Sequence, residues 1–569
     1  MDDAQRFELL HRIGIALSAE HNRARLIEMI LLEAKNLCRA DGGTLYLRTD
    51  EDQLRFAMVH NDSLNIALGG HQGDRIAFDP LPMRDPETGA ENHSSVATHS
   101  ALKGTTVKVD DAYTERDFDF SGARAFDAAH DYRSTSFLAI PLKSSQGRVI
   151  AVLQLINART PGGEVIPFSP SQVSMVEAMA SQAGLALDNQ MLLDGQKNLL
   201  EAFIKLIATA IDAKSPYTGG HCERVPYLAE MLARAACEVQ TGPFADFDLD
   251  EDQWYELRIA SWLHDCGKVV TPVHVMDKAT KLETITDRMD SVRQRFEVLR
   301  RDAEIAHLQR VVGGADEEAS AFQRDREQAT LSEELDFLER CNVGGEFLDD
   351  SDKLRIQQIS KRQFLAGDEP RRLLDDEEVE NLSISRGTLT EQERIVINGH
   401  MVQTIKMLEA LPFPANLERV PEYAGGHHER MDGTGYPKGI YAGDMSTPAR
   451  IMAIADVFEA LTAQDRPYKP GKTLSESMEI MAKMKEFNHL DPELFDLFVS
   501  SGVYRDYGRR FLPAALVDEV DEDALLAVQP RPYKLPERRE REQRWRDFLP
   551  QYADEARKGE RVIAAQHDD

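Results

Sequence analysis

The sequence predicts a multidomain protein. An N-terminal α+β domain, with an antiparallel sheet and flanking helices, is joined by a long helix to an all-α bundle that carries a helical-hairpin insertion. The 569 residues exceed what one hydrophobic core usually holds. Strand-like runs fall in the first third of the chain, whereas helical periodicity dominates after Glu201. The predicted boundaries are 1–170 for the first domain, 171–200 for the connecting helix, 201–511 for the bundle and 512–569 for a charged C-terminal extension.

The composition predicts a folded protein and argues against a nucleic-acid-binding protein. The hydrophobic share of 42% and the charged share of 29% are typical of a folded chain. With 67 Lys and Arg against 98 Asp and Glu, the formal net charge is −31, which argues against a polymeric nucleic acid as partner. An anionic substrate would therefore need metal ions or a few basic side chains at the site itself.

Three features predict a cytoplasmic protein without a membrane segment. Five cysteines occur without a CxxC pair, which favours a reducing compartment. The chain starts MDDAQR, which lacks the basic and apolar regions of a signal peptide. Its apolar runs are all shorter than the roughly 20 residues that cross a bilayer.

The first domain combines one clear helix with short strands. Residues 26–38 place apolar side chains on one helical face. Four strand-like runs follow, at 44–47, 54–60, 137–142 and 149–156. The turn Gln146-Gly147 separates the last two runs and predicts a β-hairpin.

The insertion at about 279–385 is dense in charge. Its apolar residues recur at steps of 3, 4 and 3 from Phe296 to Ala306, and a glycine pair at 313–314 interrupts the pattern. This spacing predicts an antiparallel helical hairpin with a narrow apolar seam. A charged helix exposed to solvent is the alternative interpretation. A further helix is predicted around 537–552 in the C-terminal extension.

Five helical segments of the bundle hold His or Asp at positions that should be apolar. His221, for example, lies four, seven and eleven residues before Val225, Leu228 and Leu232, on the same face. A single such histidine is usually a hydrogen-bonded core residue. Five histidines and two aspartates in one bundle need positive charge between them, because they cannot be desolvated unpaired. Their nitrogen and oxygen atoms suit divalent iron, manganese, nickel or zinc, so the pattern predicts a metal centre inside the bundle.

The same residues lie in recognisable motifs. The runs HDCGK at 264–268 and HHERMDGTGYP at 427–437 resemble the HDxGK and HHExxDGxGYP signatures of the HD-GYP subfamily of HD-domain metal-dependent phosphohydrolases. The runs TGGH, ARIMAIAD and DRPYK, at 218–221, 449–456 and 465–469, match the same subfamily. The resemblance implies a phosphodiesterase that hydrolyses cyclic di-GMP with two or three metal ions. The product would be linear pGpG, with further cleavage to GMP left open.

The resemblance also implies roles for single residues. The implied metal ligands are His221, His264, Asp265, His400, His427, His428 and Asp456. Asp265 would bridge two ions, and Lys268 would neutralise charge on the phosphate or assist proton transfer. Members with three ions carry a Glu four residues before the first His, where this sequence has Tyr217. Two ions are therefore expected, with iron or manganese as the metal.

Substrate binding is assigned to two further segments by the same resemblance. Arg466 and Lys469 match the basic pair that binds the ligand, with Arg suited to a phosphate fork and Lys to a point charge. Gly435 would let the motif loop bend tightly, and Tyr436 and Pro437 would hold its exit.

The first domain resembles a GAF domain. The resemblance rests on residues 136–143 and 147–158, with DFDFSG at 117–122 upstream. It is similar to the GAF modules of cyclic-nucleotide phosphodiesterases, although their NKFDE-type signature is broken at 123–128. A sensor of an unidentified small ligand and a structural dimerisation module are both consistent with this pattern.

Three functional hypotheses follow. The first is a cyclic di-GMP phosphodiesterase regulated by its GAF domain, forming a homodimer through that domain and the connecting helix. The second is a catalytically weak or inactive cyclic-dinucleotide-binding scaffold, with a protein partner at the insertion. The third is a hydrolase of another cyclic dinucleotide.

Overall fold

The computed structural model describes residues 3–71, 73–85, 87–214, 220–345, 347–367, 369–464, 471–537 and 540. The chain divides into two compact units, Met1–Leu200 and Glu201–Asp569. Each unit is described by itself.

The first unit is an antiparallel sheet with helices, as predicted. Its helices are α1 (Asp3–Ala19), α2 (Arg23–Cys38), α3 (Val96–Lys103) and α4 (Ser121–His130). Its strands are β1 (Ala40–Arg48), β2 (Gln53–Asn61), β3 (Ile66–Gly69), β4 (Leu81–Pro82), β5 (Val107–Val109), β6 (Phe137–Lys143), β7 (Val149–Arg159) and β8 (Val165–Ile166). Helix α2 starts at Arg23, before the predicted position, because the Asn22 side chain accepts the N–H groups of Ala24 and Arg25.

The strand order is β3-β2-β1-β7-β6-β5, with β4 paired to β2 and β8 to β7. Leu45 pairs with Met58 on one side and with Leu153 on the other, which sets the register of the sheet centre. Strand β7 is apolar almost throughout because both faces of the sheet are covered. The four predicted strand runs lie within β1, β2, β6 and β7.

The connecting helix α5 (Pro170–Asp212) runs well past its predicted end at 200. Residues 201–212 contain neither glycine nor proline and favour continuation of the helix. Val176 and Ala183 are buried in the core of the first unit, whereas Ile204 and Ile211 belong to the core of the second unit.

The second unit is mostly helical. Its elements are α6 (His221–Cys237), α7 (Glu251–Leu263), α8 (Val273–Met276), α9 (Met289–Val312), α10 (Glu317–Val343), α11 (Asp350–Ser360), β9 (Gln363–Ala366), β10 (Glu369–Arg372), α12 (Asp376–Leu382), α13 (Glu391–Asn398), α14 (His400–Glu409), α15 (Val420–Gly425), α16 (Thr447–Thr462), α17 (Leu474–Glu486), α18 (Pro492–Ser500), α19 (Val503–Phe511) and α20 (Glu522–Ala527). Leu228, Ala260, Ile451 and Phe495 are fully or almost fully buried and form part of one apolar core. None of the described helices combines the length and apolar character that a bilayer crossing requires.

The insertion contains the predicted helical hairpin, α9 and α10, which packs through Phe296 and Leu338. It also contains two short antiparallel strands, β9 and β10, which the prediction of an all-α bundle with a helical hairpin did not include. Each strand has only four residues, and the pattern around Gln363–Ala366 and Glu369–Arg372 is too short and polar to show a strand period.

The C-terminal extension contributes to the bundle. Leu525 is buried in its core, and Val517 and Val520 pack against it. Arg531 donates to Glu486, which ties the segment to the end of α17. The helix predicted around 537–552 lies outside the described residues except at 537 and 540.

Candidate metal centre

The structure brings the seven sequence-predicted ligands together in two groups. Within each group, one ligand atom per residue lies within 4.8 Å of the others. The histidine–aspartate group comprises His221, His264, Asp265 and Asp456, and the histidine group comprises His400, His427 and His428.

Helix ends and chain turns place these side chains. His221 is the first residue of α6, after Gly220 in a left-handed conformation with φ 77°. His264 closes α7, and Asp265 leads into the 3-10 turn Cys266–Val270. The remaining ligands are His400 at the start of α14, His427 and His428 just after α15, and Asp456 within α16.

The histidine–aspartate group is tightly packed. The Nε2 atom of His221 lies 3.3 Å from Asp265 Oδ2 and 3.3 Å from Asp456 Oδ1. The Nε2 atom of His264 lies 3.2 Å from Asp265 Oδ2 and 3.7 Å from Asp456 Oδ1. Two imidazole nitrogens and two carboxylate oxygens thus point at one small volume.

Asp265 lies between the two groups. Its Oδ2 faces the histidine–aspartate group, and its Oδ1 is 3.3 Å from Nε2 of His400 in the histidine group. Asp265 Oδ1, His400 Nε2 and His427 Nε2 are buried and have no hydrogen-bond partner within the described part of the chain. Buried polar atoms are rarely left in this state, so their convergence indicates cations between them.

Three of the histidines are oriented by main-chain carbonyls. Nδ1 of His264, His400 and His427 donates to a carbonyl oxygen three residues earlier, at 2.7, 2.6 and 2.7 Å. Because a carbonyl only accepts, these rings carry a proton on Nδ1, and Nε2 is the atom that each ring can offer to a metal ion.

Charge pairs set the pKa values in the histidine–aspartate group. Burial alone would lower the pKa of His221, but the carboxylate of Glu459 raises it well above its ordinary value. Burial likewise opposes a raised pKa at His264, yet Asp265 holds that pKa at about 9. Burial would raise the pKa of Asp265, but Lys268 and His264 keep it well below its usual range. The carboxylates are therefore ionised and can bind a cation.

In the histidine group, the pKa values of His427 and His428 are lowered instead. Burial lowers the pKa of His427 to about 4, and burial with the neighbouring imidazoles lowers the pKa of His428 well below its ordinary value. These rings are neutral, which is the form that binds a metal ion.

Lys268 and the motif loop border the centre. Lys268 Nζ donates to Asp265 Oδ2 at 2.5 Å. The Tyr436 ring stacks on His428 with centroids 4.8 Å apart. A Cβ at Gly435 would lie 2.4 Å from the Arg430 nitrogen, so only glycine fits this turn. Pro437 is buried beyond the turn.

Sequence reasoning missed two carboxylates at this site. Glu459 contacts Nδ1 of His221, and Glu429 accepts the N–H groups of Lys438 and Ile440, which fixes the motif loop. Glu459 lies three residues after Asp456 on the same helix, a spacing that places both on one face and could have flagged it. Glu429 is itself part of the HHE run.

Some predicted residues cannot be placed. Arg466 and Lys469 lie in 465–470, outside the described residues. Tyr217 lies in 215–219, which is also outside the described part.

The donor set fits a pair of divalent cations. Five imidazoles and two carboxylates supply nitrogen and oxygen ligands of the kind that manganese, iron and zinc accept. Asp265 can contribute one oxygen to each ion. The fit rests on the unpartnered buried atoms and on this donor chemistry.

Two family models match the chain. Residues 22–187 match the GAF domain, and residues 377–494 match the HD domain. The chain therefore carries a GAF domain followed by an HD domain, in agreement with the GAF and HD-GYP motifs. The HD match contains His400, His427, His428 and Asp456, while the other three ligands precede it.

Three relatives are similar to parts of the chain. A 3′3′-cGAMP-specific phosphodiesterase 1 of Vibrio cholerae is 42% identical over 113 residues, 20% of this chain and 25% of that protein. A cyclic di-GMP phosphodiesterase of Pseudomonas aeruginosa is 38% identical over 119 residues, 21% of this chain and 28% of that protein. A 3′3′-cGAMP-specific phosphodiesterase 2 of V. cholerae is 22% identical over 325 residues, 57% of this chain and 39% of that protein. The chain spans about a quarter of the length of the first two relatives.

Proposed function

We propose that the protein is a metal-dependent phosphodiesterase that hydrolyses cyclic di-GMP to linear pGpG, with GMP as a further product to be tested. The observation that carries the proposal is the pair of ligand groups that meet at Asp265, with two buried nitrogens and one buried oxygen that have no hydrogen-bond partner among the described residues. The names of the relatives, which are cyclic-dinucleotide phosphodiesterases, agree with this substrate class.

Different residues of the site would have different roles in hydrolysis. When bound, two divalent cations activate water and stabilise the charge of an in-line displacement at phosphorus. Asp265 holds both positions in register, since each of its oxygens faces one ligand group. Lys268 keeps Asp265 ionised and adds positive charge beside the phosphate. Tyr436, stacked on His428, forms a wall of the site.

Substrate recognition would come from the motif loop and a basic pair. Gly435, Tyr436 and Pro437 shape the loop beside the histidine group. Arg466 and Lys469 are proposed to contact phosphate, since guanidinium and ammonium groups suit this charge. Iron and manganese remain the proposed metals.

A turnover assay tests the proposal. Protein loaded with Mn²⁺ or Fe²⁺ is incubated with cyclic di-GMP, and the products are separated by chromatography. We expect linear pGpG, and a loss of at least ~10²-fold in Asp265→Asn and His264→Ala. Glu256→Gln is the matched control, because Glu256 is a buried carboxylate of α7 that accepts the Arg419 N–H, and neither residue belongs to the two ligand groups.

A second substrate is favoured by the relatives whose names specify 3′3′-cGAMP. The same assay with the mixed GMP–AMP cyclic dinucleotide separates the two. Faster turnover of the mixed dinucleotide would change the substrate but keep the reaction. Binding of both without turnover in the metal-loaded protein would leave only the scaffold hypothesis.

Regulation by the GAF domain is proposed to act through α5. Just after this helix, Lys214 Nζ donates to the carbonyls of Lys268 and Thr271, at 3.0 and 2.6 Å. Asp212, its last residue, accepts the Cys222 N–H at 3.2 Å. A shift of α5 would therefore move both the turn that carries Lys268 and the start of α6, whether a small ligand or dimerisation of the GAF domain drives it.

A homodimer through the GAF domain and α5 belongs to the proposal. Leu185, Leu192, Leu199 and Leu206 recur every seven residues and are 51–63% exposed. Heptad spacing of leucines is typical of a two-stranded coiled coil, so a second copy of α5 fits this stripe. We also propose that a protein partner binds the insertion, where Val312 and Phe322 are exposed. The proposed location of the protein is the cytoplasm.

A further inference from the structure

The imidazole of His221 is oriented differently from its neighbours. His264, His400 and His427 each donate Nδ1–H to a main-chain carbonyl. His221, at the first position of α6, instead meets the side-chain carboxylate of Glu459, with Nδ1 against Oε2. The two residues are 238 positions apart in the sequence.

Glu459 is held on both oxygens. Its Oε1 accepts from the Arg224 guanidinium at 2.7 Å, and its side chain is 1% exposed. A buried carboxylate is costly unless it is fully paired, so this geometry has little freedom. Arg224 and His221 both lie on α6, and Glu459 and Asp456 both lie on α16. The cluster therefore joins the two helices beside the metal centre.

The contact fixes the tautomer of His221. An ionised carboxylate only accepts, so Nδ1 carries a proton, and Nε2 is the ring atom that faces the volume between Asp265 and Asp456. Rotation of the ring would break the bond to Glu459.

We propose that Glu459 is a positioning residue for the metal ligand His221 and acts on one of the two cation positions. It serves the histidine–aspartate group, whereas His400 and His427 of the histidine group are oriented by main-chain carbonyls. The inference rests on the metal-dependent function proposed above.

A Mn²⁺ binding isotherm tests this selectivity. Free Mn²⁺ is followed by electron paramagnetic resonance as metal is added to the apo-protein. We expect two sites in the wild-type protein. In Glu459→Leu, one site should weaken by about 10–100-fold and the other should keep its affinity, since the loss of such a partner typically costs this much. Glu459→Gln keeps an accepting oxygen without the charge. The affinity of its weakened site should therefore lie between those of the wild type and Glu459→Leu.

Glu256→Gln is the control for removing a buried carboxylate from the same bundle, and both its sites should match the wild type. Arg224→Met covers the case in which Glu459→Leu does not fold, because it leaves the carboxylate and removes its anchor. This variant should weaken the same single site by several-fold.

Three outcomes contradict the inference. Wild-type affinity at both sites in Glu459→Leu, or in both Glu459→Gln and Arg224→Met, would remove the positioning role. Equal weakening of both sites would show a general structural effect instead. A wild-type protein that binds no Mn²⁺ would overturn the proposed function together with the inference.

Discussion

Close contacts at single residues determine whether the two halves of the metal centre can meet. A Cβ at Gly267 would lie 1.9 Å from the carbonyl oxygen of His400 and 2.5 Å from the Thr404 nitrogen. This glycine therefore allows the turn that carries Asp265 and Lys268 to touch α14. Main-chain atoms cannot move aside as a flexible side chain can.

Gly267→Ala should separate the two ligand groups. We expect a loss of about 1–3 kcal/mol of unfolding free energy, as in overpacked cores, and weaker binding of both cations. Urea unfolding and a metal titration measure the two effects. Gly443→Ala is the control, because no described atom lies within 4 Å of its added Cβ, and it should change stability by less than about 0.5 kcal/mol. A Gly267→Ala variant as stable as this control would contradict the packing argument.

Lys281 predicts a pH dependence in the insertion. Its side chain is fully buried and donates to the carbonyls of Leu382 and Ile384, and burial lowers its pKa from 10.5 to about 8. Below pH 8 the lysine is charged in both states, and folding bears the full cost of burying the charge. Between pH 8 and 10.5 the unfolded chain binds more protons, so this cost is relieved and stability rises with pH.

Urea unfolding of the wild type and Lys281→Met between pH 7.5 and 10 isolates this contribution. The unfolding free energy of the wild type should rise relative to that of Lys281→Met as pH rises, by at most ~1.4 kcal/mol per pH unit. A difference that stays constant over this range would show that Lys281 does not titrate as the structure indicates.

Histidines and aspartates on the apolar faces of five helical segments predicted a metal centre, and the motif resemblance gave the full set of seven candidate ligands. The spacing of three residues from Asp456 could have drawn attention to Glu459, but its contact with His221, 238 positions away, could not be predicted from the sequence. A glutamate on a helix is ordinary until its partner is known. Arg466 and Lys469 rest on the motif alone.

Helix α5 is the element on which both the proposed regulation by the GAF domain and the proposed homodimer depend. Its buried residues face the cores, and its heptad leucines are exposed. Its extension to Asp212 was not predicted, because helix propensity marks where a helix can continue but not where tertiary contacts end it. The strands β9 and β10 were missed because four-residue polar strands carry almost no periodic signal.

Leu192→Lys with Leu199→Lys should dissociate the proposed dimer. Both leucines are more than half exposed, so the monomer fold should persist while the apolar seam is lost. Light scattering after size exclusion measures the mass. Leu308→Lys, at an exposed leucine of α9, should leave the mass unchanged. A wild-type mass equal to one chain would contradict the dimer.

At the scale of the whole molecule, the two compact units predict two unfolding events with different metal dependence. The candidate ligands all lie in the second unit. A ligand that binds only the native state stabilises it by about 2.7 kcal/mol at a hundredfold excess over Kd. Metal should therefore protect one unit and leave the other unchanged.

Calorimetry with Mn²⁺ and with EDTA measures this effect. We expect two unfolding transitions, and chelation by EDTA should lower the temperature of only one of them. The Asp265→Asn variant assigns the transitions, because it should abolish the effect of Mn²⁺ on the transition temperature of the second unit. Two transitions that respond equally to EDTA would contradict the placement of the site.

The proposed metal centre places Asp265 between two cations, each held by one ligand group. Anomalous diffraction from Mn²⁺-loaded crystals, recorded at the manganese edge, would locate these ions. We predict two peaks on opposite sides of Asp265, each about 2.2 Å from nitrogen or oxygen atoms of its own group. A single peak, or none, in fully loaded crystals would contradict a two-cation centre at Asp265.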